Sequence, residues 1–280
     1  MSLLHIFVLA IIQGAAELLP VSSSAHVIVA AKLLGLDPTS PEMTLLLVML
    51  HTGTMFAVIV YFWSSWKRGF FASAGTFRES ARLIVVATAV TGVIGIALKQ
   101  LIERVVLGHV PHAEIELLFG NLGLIAAALA AVGVLIIVAG VVAGRSGDGK
   151  RPGMRESVWI GAVQGLCLPF RGFSRSGATI SAGLLLGVAR ARAEEFSFAL
   201  AVVLTPPVVA REVMRLLKAH ATVQAGLFYP GLMGMVLSFF AGLLALRWLS
   251  SWLERGRWQL FGVYCLAASV VVYLLHRGGF

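Results

Sequence analysis

A chain of 280 residues that is 59% hydrophobic and 12% charged, with a mean hydropathy of +0.92, carries about half the charge of a soluble domain and reads as a polytopic membrane protein. Its formal net charge of +9 does not indicate a nucleic-acid binder, because Lys and Arg sit in short loops between apolar runs, where they set topology and meet anionic lipid. Cys167 and Cys265 both lie in apolar runs and build neither a disulfide framework nor a cysteine metal site.

The first 12 residues contain no Lys or Arg. They lack the basic lead of a secretory signal, so no cleavage is expected. Residues 13–26, QGAAELLPVSSSAH, interrupt the apolar run. The flanks 3–12 and 27–36 both fall short of the roughly 20 residues that span a bilayer. The pattern predicts two half-helices meeting at a polar break. Non-helical backbone at that depth survives only when buried in protein or lining a wet cavity, and an ionisable residue there marks function by default.

A loop over 35–42 leads to a predicted span over 43–63, with Trp63 and Trp66 as an interfacial belt. A basic loop over 67–80, a span over 82–101, a polar stretch over 103–114 and a span over 115–142 follow. The Gly- and Arg-rich loop over 144–156 is the natural midpoint. The pattern then restarts with an apolar lead-in over 157–168, the break PFRGFSRSGAT and a lead-out over 180–188. Further spans are predicted over 194–215, kinked by Pro206 and Pro207, over 226–249 and over 258–275. Glu103/Arg104, Glu194/Glu195 and Glu254/Arg255 read as solvated span ends.

The halves match locally. Gln13-Gly14 precedes Pro20, serines and Leu33-Leu34-Gly35; Gln164-Gly165 precedes Pro169, Ser174, Ser176 and Leu185-Leu186-Gly187. The expected fold is therefore all-α: one integral membrane domain over 1–280, built from repeats 1–143 and 152–280. Each half is a re-entrant helix hairpin plus three transmembrane helices. An odd number of crossings inverts the second half, and such repeats place paired broken helices at the midplane. Function is expected where the two breaks meet. Most of the 22 Lys and Arg, Lys67, Arg68, Lys150 and Arg151 among them, then fall on one side, which puts both termini outside the cell.

Gln13 and Glu17 are four apart and share a helix face. Their oxygens suit a hard cation, and magnesium typically binds one or two carboxylates plus substrate phosphates. Pro20 ends the first half-helix, and Ser22, Ser23 and Ser24 can cap the next, whose N-terminus suits phosphate. His26 shares a face with Ser22 or Ser23, and a serine with a histidine in reach is a nucleophile with its base. Taken alone, these residues are better explained as helix caps plus a histidine bonded to a carbonyl. In the second break Arg175 offers a fixed fork of donors for phosphate, flanked by Ser174, Ser176 and Thr179; Gly172 and Gly177 let backbone approach closely, and Arg171 adds a second cation. His51, Gly53 and Thr54 divide evenly between supporting the site and plain packing.

At these residues the chain resembles the undecaprenyl-diphosphate phosphatase family, linked to bacitracin resistance. Its first motif matches Gln13, Glu17, Leu19-Pro20-Val21-Ser22-Ser23 and His26. Its second matches Gly172, Ser174, Arg175, Ser176, Gly177 and Thr179, and its HxGT pattern matches His51, Gly53 and Thr54. The chain departs at Arg171, where the family usually has proline, which bears on the shape of the loop. The resemblance implies a hydrolase of the bacterial inner membrane, dependent on magnesium or calcium, that takes the terminal phosphate from undecaprenyl diphosphate and opens to the periplasm. It implies Glu17 and Gln13 as metal ligands or activators, Ser23 as nucleophile with His26 as acid/base, and Arg175, Ser174, Ser176, Thr179, Ser22 and Gly172 around the diphosphate. The expected partners are that substrate and membrane lipid, with no nucleic acid; the reading admits a homodimer. The rival is a transporter or flippase for an anionic or prenyl-phosphate substrate, whose binding site needs Arg175 but no nucleophile–base pair.

Overall fold

A computed structural model describes residues 2–37, 40–106, 118–143, 149–218 and 228–279. Two short helices, α1 (Leu3–Leu18) and α2 (Ser23–Leu33), precede three long ones, α3 (Pro41–Gly69), α4 (Ala74–Leu101) and α5 (Leu122–Ala143). Two short helices, α6 (Met154–Cys167) and α7 (Arg175–Leu185), then precede α8 (Arg190–Lys218), α9 (Phe228–Glu254) and α10 (Trp258–Arg277). No strand occurs among the described residues. Six helices are long and apolar enough to cross a membrane, so the all-α polytopic fold stands. At about 1.5 Å per residue, the 11-residue α2 and α7 cover about half of a 30 Å hydrocarbon core.

Both short pairs start and stop for local reasons. Ser2 caps α1 by accepting from the His5 N–H, and Pro20 closes it after Leu19. α2 and α7 end on the same device. Gly35 and Gly187 adopt positive φ (69° and 78°), and the following residues, Leu36 and Val188, return their N–H to the carbonyls of Ala31 and Gly183. This is a Schellman closure, which favours glycine at the left-handed position. It falls on the two Leu-Leu-Gly triplets that the sequence pairs.

Several long helices run past their predicted bounds, while α5 falls short of its own. α3 continues past Trp63 to Gly69, and α4 begins at Ala74, capped by Ser73, which accepts from the Thr76 N–H. Trp63 is exposed, but Trp66 is buried, and its indole donates to the Glu195 carbonyl at 3.2 Å; it is not part of an interfacial belt. α5 starts at Leu122, seven residues later than expected, because Asn121 accepts from the Leu124 N–H and sets the first turn. Residues 115–117 lie outside the described set. α8 runs through Pro206 and Pro207.

The described residues form two compact units. The first comprises Met1–Leu19, Ser23–Ser64 and Ala201–Leu249. Ile6, Leu9 and Ala10 of α1 pack there with Val27 and Ala31 of α2 and with Met43, Leu46 and Leu50 of α3. Between apolar helices in lipid, this cohesion is close van der Waals contact rather than water exclusion.

The second unit comprises Pro20–Ser22, Ser65–Leu200 and Ser250–Phe280. Leu83 and Ala87 of α4, Ile160 of α6, Ala182 of α7 and Phe196 and Leu200 of α8 form its core. Polar bonds seat α6 on α4: Thr91 donates to the Ala87 and Gly161 carbonyls at 2.8 and 2.9 Å, and Gln164 Nε2 donates to Thr91 Oγ1 at 3.1 Å. Lys150 pairs with Glu156 at 2.7 Å, a bond that holds the Glu156 carboxyl below its usual range. Glu194 and Glu195 are buried rather than solvated. Ser250 donates to Glu194 at 2.6 Å; Ser65 donates to Glu195, and Arg192 adds a 2.8 Å bond. Buried carboxylates need such partners.

Candidate functional site

Glu17 is the hub of the first unit's polar set. It lies one residue from the end of α1, one turn after Gln13, so both point the same way. Gln13 Nε2 donates to Glu17 Oε2 at 3.0 Å, and Gln13 is only 1% exposed. Ser23, the first residue of α2, donates its hydroxyl to the same carboxylate oxygen at 2.5 Å. His51 Nε2 of α3 stands 3.5 Å from it. The other ring nitrogen, Nδ1, lies 2.7 Å from the Leu47 carbonyl, which orients the ring. A protonated Nδ1 then leaves Nε2 to meet Glu17, as an ion pair when the imidazole is charged.

This geometry puts the Glu17 carboxylate at the Ser23 hydroxyl, in keeping with its expected part in activating the attack. His26 lies one turn further along α2 and is half-buried. His51 reaches Glu17, and its neighbours Gly53 and Thr54 make packing and backbone contacts. A Cβ on Gly53 would meet the Met235 carbonyl at 2.2 Å, so Gly53 is a contact point with α9. Thr54 bonds the His51 carbonyl at 2.9 Å.

The turn between α1 and α2, Pro20–Ser22, belongs to the second unit. Cys265 Sγ of α10 donates to the Pro20 carbonyl at 3.3 Å, a contact that apolar patterning does not reveal. Ser22 has φ +68°, the only described non-glycine residue at positive φ. That conformation costs an L-residue about 1–2 kcal/mol, and strain of this kind gathers at functional sites. Ser22→Gly is expected to keep or raise the melting temperature, whereas Ser22→Val lowers stability by about 1–2 kcal/mol. Thermal unfolding in detergent checks both, and an equally stable valine variant would dismiss the strain.

The second break is built on the α6–α7 turn. Gly172, at φ +99°, packs where a Cβ would stand 2.6 Å from the Ile125 carbonyl, so two independent constraints require glycine there. The Arg171 guanidinium lies over the Phe119 ring at 4.4 Å, tying the loop to the chain just ahead of α5. Ser174 caps α7, accepting from the Gly177 N–H at 3.2 Å, and its hydroxyl lies 3.4 Å from that of Ser176. Arg175 is the first residue of α7, at the positive end of the helix dipole. Thr179, fully buried, donates to the Arg175 carbonyl at 2.8 Å and lies 2.6 Å from Ser197 Oγ on α8.

Six apolar helices of spanning length make this a polytopic membrane protein, with a serine hydroxyl on a carboxylate in one unit and an arginine at a capped helix N-terminus in the other. The family model described as Bacitracin resistance protein BacA matches residues 6–271, and the chain belongs to that family. It is 61% identical to Undecaprenyl-diphosphatase 2 of Acinetobacter baylyi over 98% of both chains. It is 35% identical to Undecaprenyl-diphosphatase 2 of Burkholderia ambifaria over 99% of both chains. The identity is also 35% to Undecaprenyl-diphosphatase 1 of Burkholderia pseudomallei, over 96% of this chain and 95% of that one.

Proposed function

We propose that this protein hydrolyses undecaprenyl diphosphate to undecaprenyl phosphate and inorganic phosphate, recycling the lipid carrier of cell-wall synthesis and conferring bacitracin resistance. The observation that carries the reading is the Ser23 hydroxyl bonded to Glu17, a nucleophile with its base in reach. A binding site for a transported anion has no use for that pair.

Ser23 Oγ attacks the terminal phosphorus as Glu17 takes its proton, and the bond to the bridging oxygen breaks. Undecaprenyl phosphate leaves, with His26 as the acid for its departing oxygen. Water, deprotonated by the now neutral His26, then attacks the phosphoserine; the Ser23 oxygen leaves with the proton that Glu17 took, and inorganic phosphate is released. His51 steadies the Glu17 carboxylate. Arg175 binds the diphosphate, with Ser174, Ser176, Ser22 and the Gly172 turn shaping its surroundings. Such transfer depends mainly on positioning and charge stabilisation.

A divalent cation, magnesium or calcium, is part of the proposal. Among the described residues no three His, Cys, Asp or Glu gather into a protein-only cage. Glu17 with the Gln13 amide oxygen fits an ion shared with substrate phosphate instead. When bound, it would neutralise charge on the diphosphate.

The basic loops support placement in the bacterial inner membrane with the site toward the periplasm, and give the net positive charge a lipid rather than a nucleic-acid role. The two short helix pairs are proposed as re-entrant hairpins of an inverted repeat, 1–143 and 152–280, within one membrane domain. Phosphate release by purified protein in detergent, with magnesium, calcium or chelator, tests the function. Release that depends on metal and falls at least a hundredfold in Ser23→Ala is expected. No release from well-folded wild type would favour the transporter.

A further inference from the structure

We infer that Ser197 is a positioning residue for Arg175, and that Thr179 acts as its link rather than by touching phosphate. This deepens the hydrolase reading and rests on it. The reason is a buried chain of hydroxyls that ends on the backbone of Arg175. Thr179 donates its hydroxyl to the carbonyl of Arg175 at 2.8 Å. The 2.6 Å contact with Ser197 Oγ completes the chain, with Ser197 donating to the Thr179 oxygen. Both residues are buried, at 0% and 1% exposure, which sets the Thr179 hydroxyl apart from a phosphate oxygen.

The bond reaches the backbone of the residue that carries the guanidinium. Another contact seats the body of α7: Trp258 Nε1 donates to Ser181 Oγ at 3.0 Å. The link from Ser197 through Thr179 instead fixes the first turn, at the Arg175 carbonyl. Ser197 comes from α8, 18 residues further along the chain from Thr179. Hydroxyl bonds between helices in lipid contribute modestly to folding. A small misplacement of a charge-stabilising group, by contrast, costs rate steeply.

The test is turnover of undecaprenyl diphosphate by the purified full chain in detergent with magnesium. Ser197→Ala and Thr179→Val are each expected to lower kcat about tenfold, with KM and melting temperature little changed. Ser197→Thr and Thr179→Ser, which keep the hydroxyls, should restore kcat to within about twofold. The double variant Ser197→Ala/Thr179→Val should be no slower than Thr179→Val alone, because both changes break one linkage. Should Ser197→Ala fail to fold, Ser197→Cys, a weaker donor of similar size, takes its place in the cycle. A Thr179 that touched phosphate would give additive losses and an unimpaired Ser197→Ala, and either result overturns the assignment. Wild type without turnover sinks the hydrolase reading and this inference together; turnover in wild type that Ser197→Ala leaves unchanged sinks this inference alone.

Discussion

Arg175→Ala is expected to abolish phosphate release, by a factor of about 10²–10³ or more, while the protein stays folded and inserted. The guanidinium supplies two things that no other described residue of α7 offers. It carries a permanent positive charge, and it presents paired donors in one plane that match two phosphate oxygens. Charge builds on those oxygens during transfer, so the loss falls on kcat/KM rather than on folding. The helix itself survives, because its start rests on Ser174 and Thr179 and its body on buried small residues. Arg175→Lys keeps the charge and loses the fork, so an intermediate activity is expected. Phosphate release and gel filtration in detergent read both properties. Turnover near the wild-type rate in Arg175→Ala would remove this residue from the site.

Glu194 and Trp66 show where the sequence stops speaking. A carboxylate at the start of a span reads as solvated unless its partners are known, and those of Glu194 and Glu195 lie 56 and 130 residues away at Ser250 and Ser65. Trp66 follows the same rule, since its acceptor is a carbonyl of α8. Ser197, Cys265 and the backbone of Ser22 are likewise set by tertiary contacts that leave no local pattern. The breaks were legible because their signals are local. Pro20 and the short apolar flanks mark the first, serine-capped Arg175 marks the second, and each Leu-Leu-Gly closes its helix with the same hydrogen bond. Helix ends were less so. α3 runs six residues beyond its predicted limit because Ser64, Ser65 and Trp66 end the apolar pattern without ending the backbone's hydrogen bonds. The halves also diverge at one matched position. Gln13 reaches a carboxylate, whereas Gln164 reaches Thr91, because residue 168 is leucine where residue 17 is glutamate. The second break thus carries no counterpart of Glu17 at the matched position.

Glu17→Gln should cost about 10²–10⁴ in kcat, the range of a lost general base, and should also change the response to metal. The two effects are separable because glutamine preserves shape. Its amide oxygen still accepts from Ser23, so α1 and α2 keep their approach, and the loss cannot be assigned to collapse. What disappears is basicity toward the Ser23 proton and the negative charge that faces His51 and a cation. If Glu17 serves in both roles, magnesium titration of the residual activity shifts to higher concentration as kcat falls. Gln13→Ala, which removes only a neutral amide, should shift the titration while sparing most of kcat. A Glu17→Gln enzyme with reduced kcat and an unchanged magnesium midpoint would confine Glu17 to proton transfer. An enzyme unchanged in both would exclude it from the chemistry. On the proposed mechanism one residue would take the Ser23 proton and help hold the cation, so a single substitution is expected to move both kcat and the magnesium midpoint, each read by its own measurement.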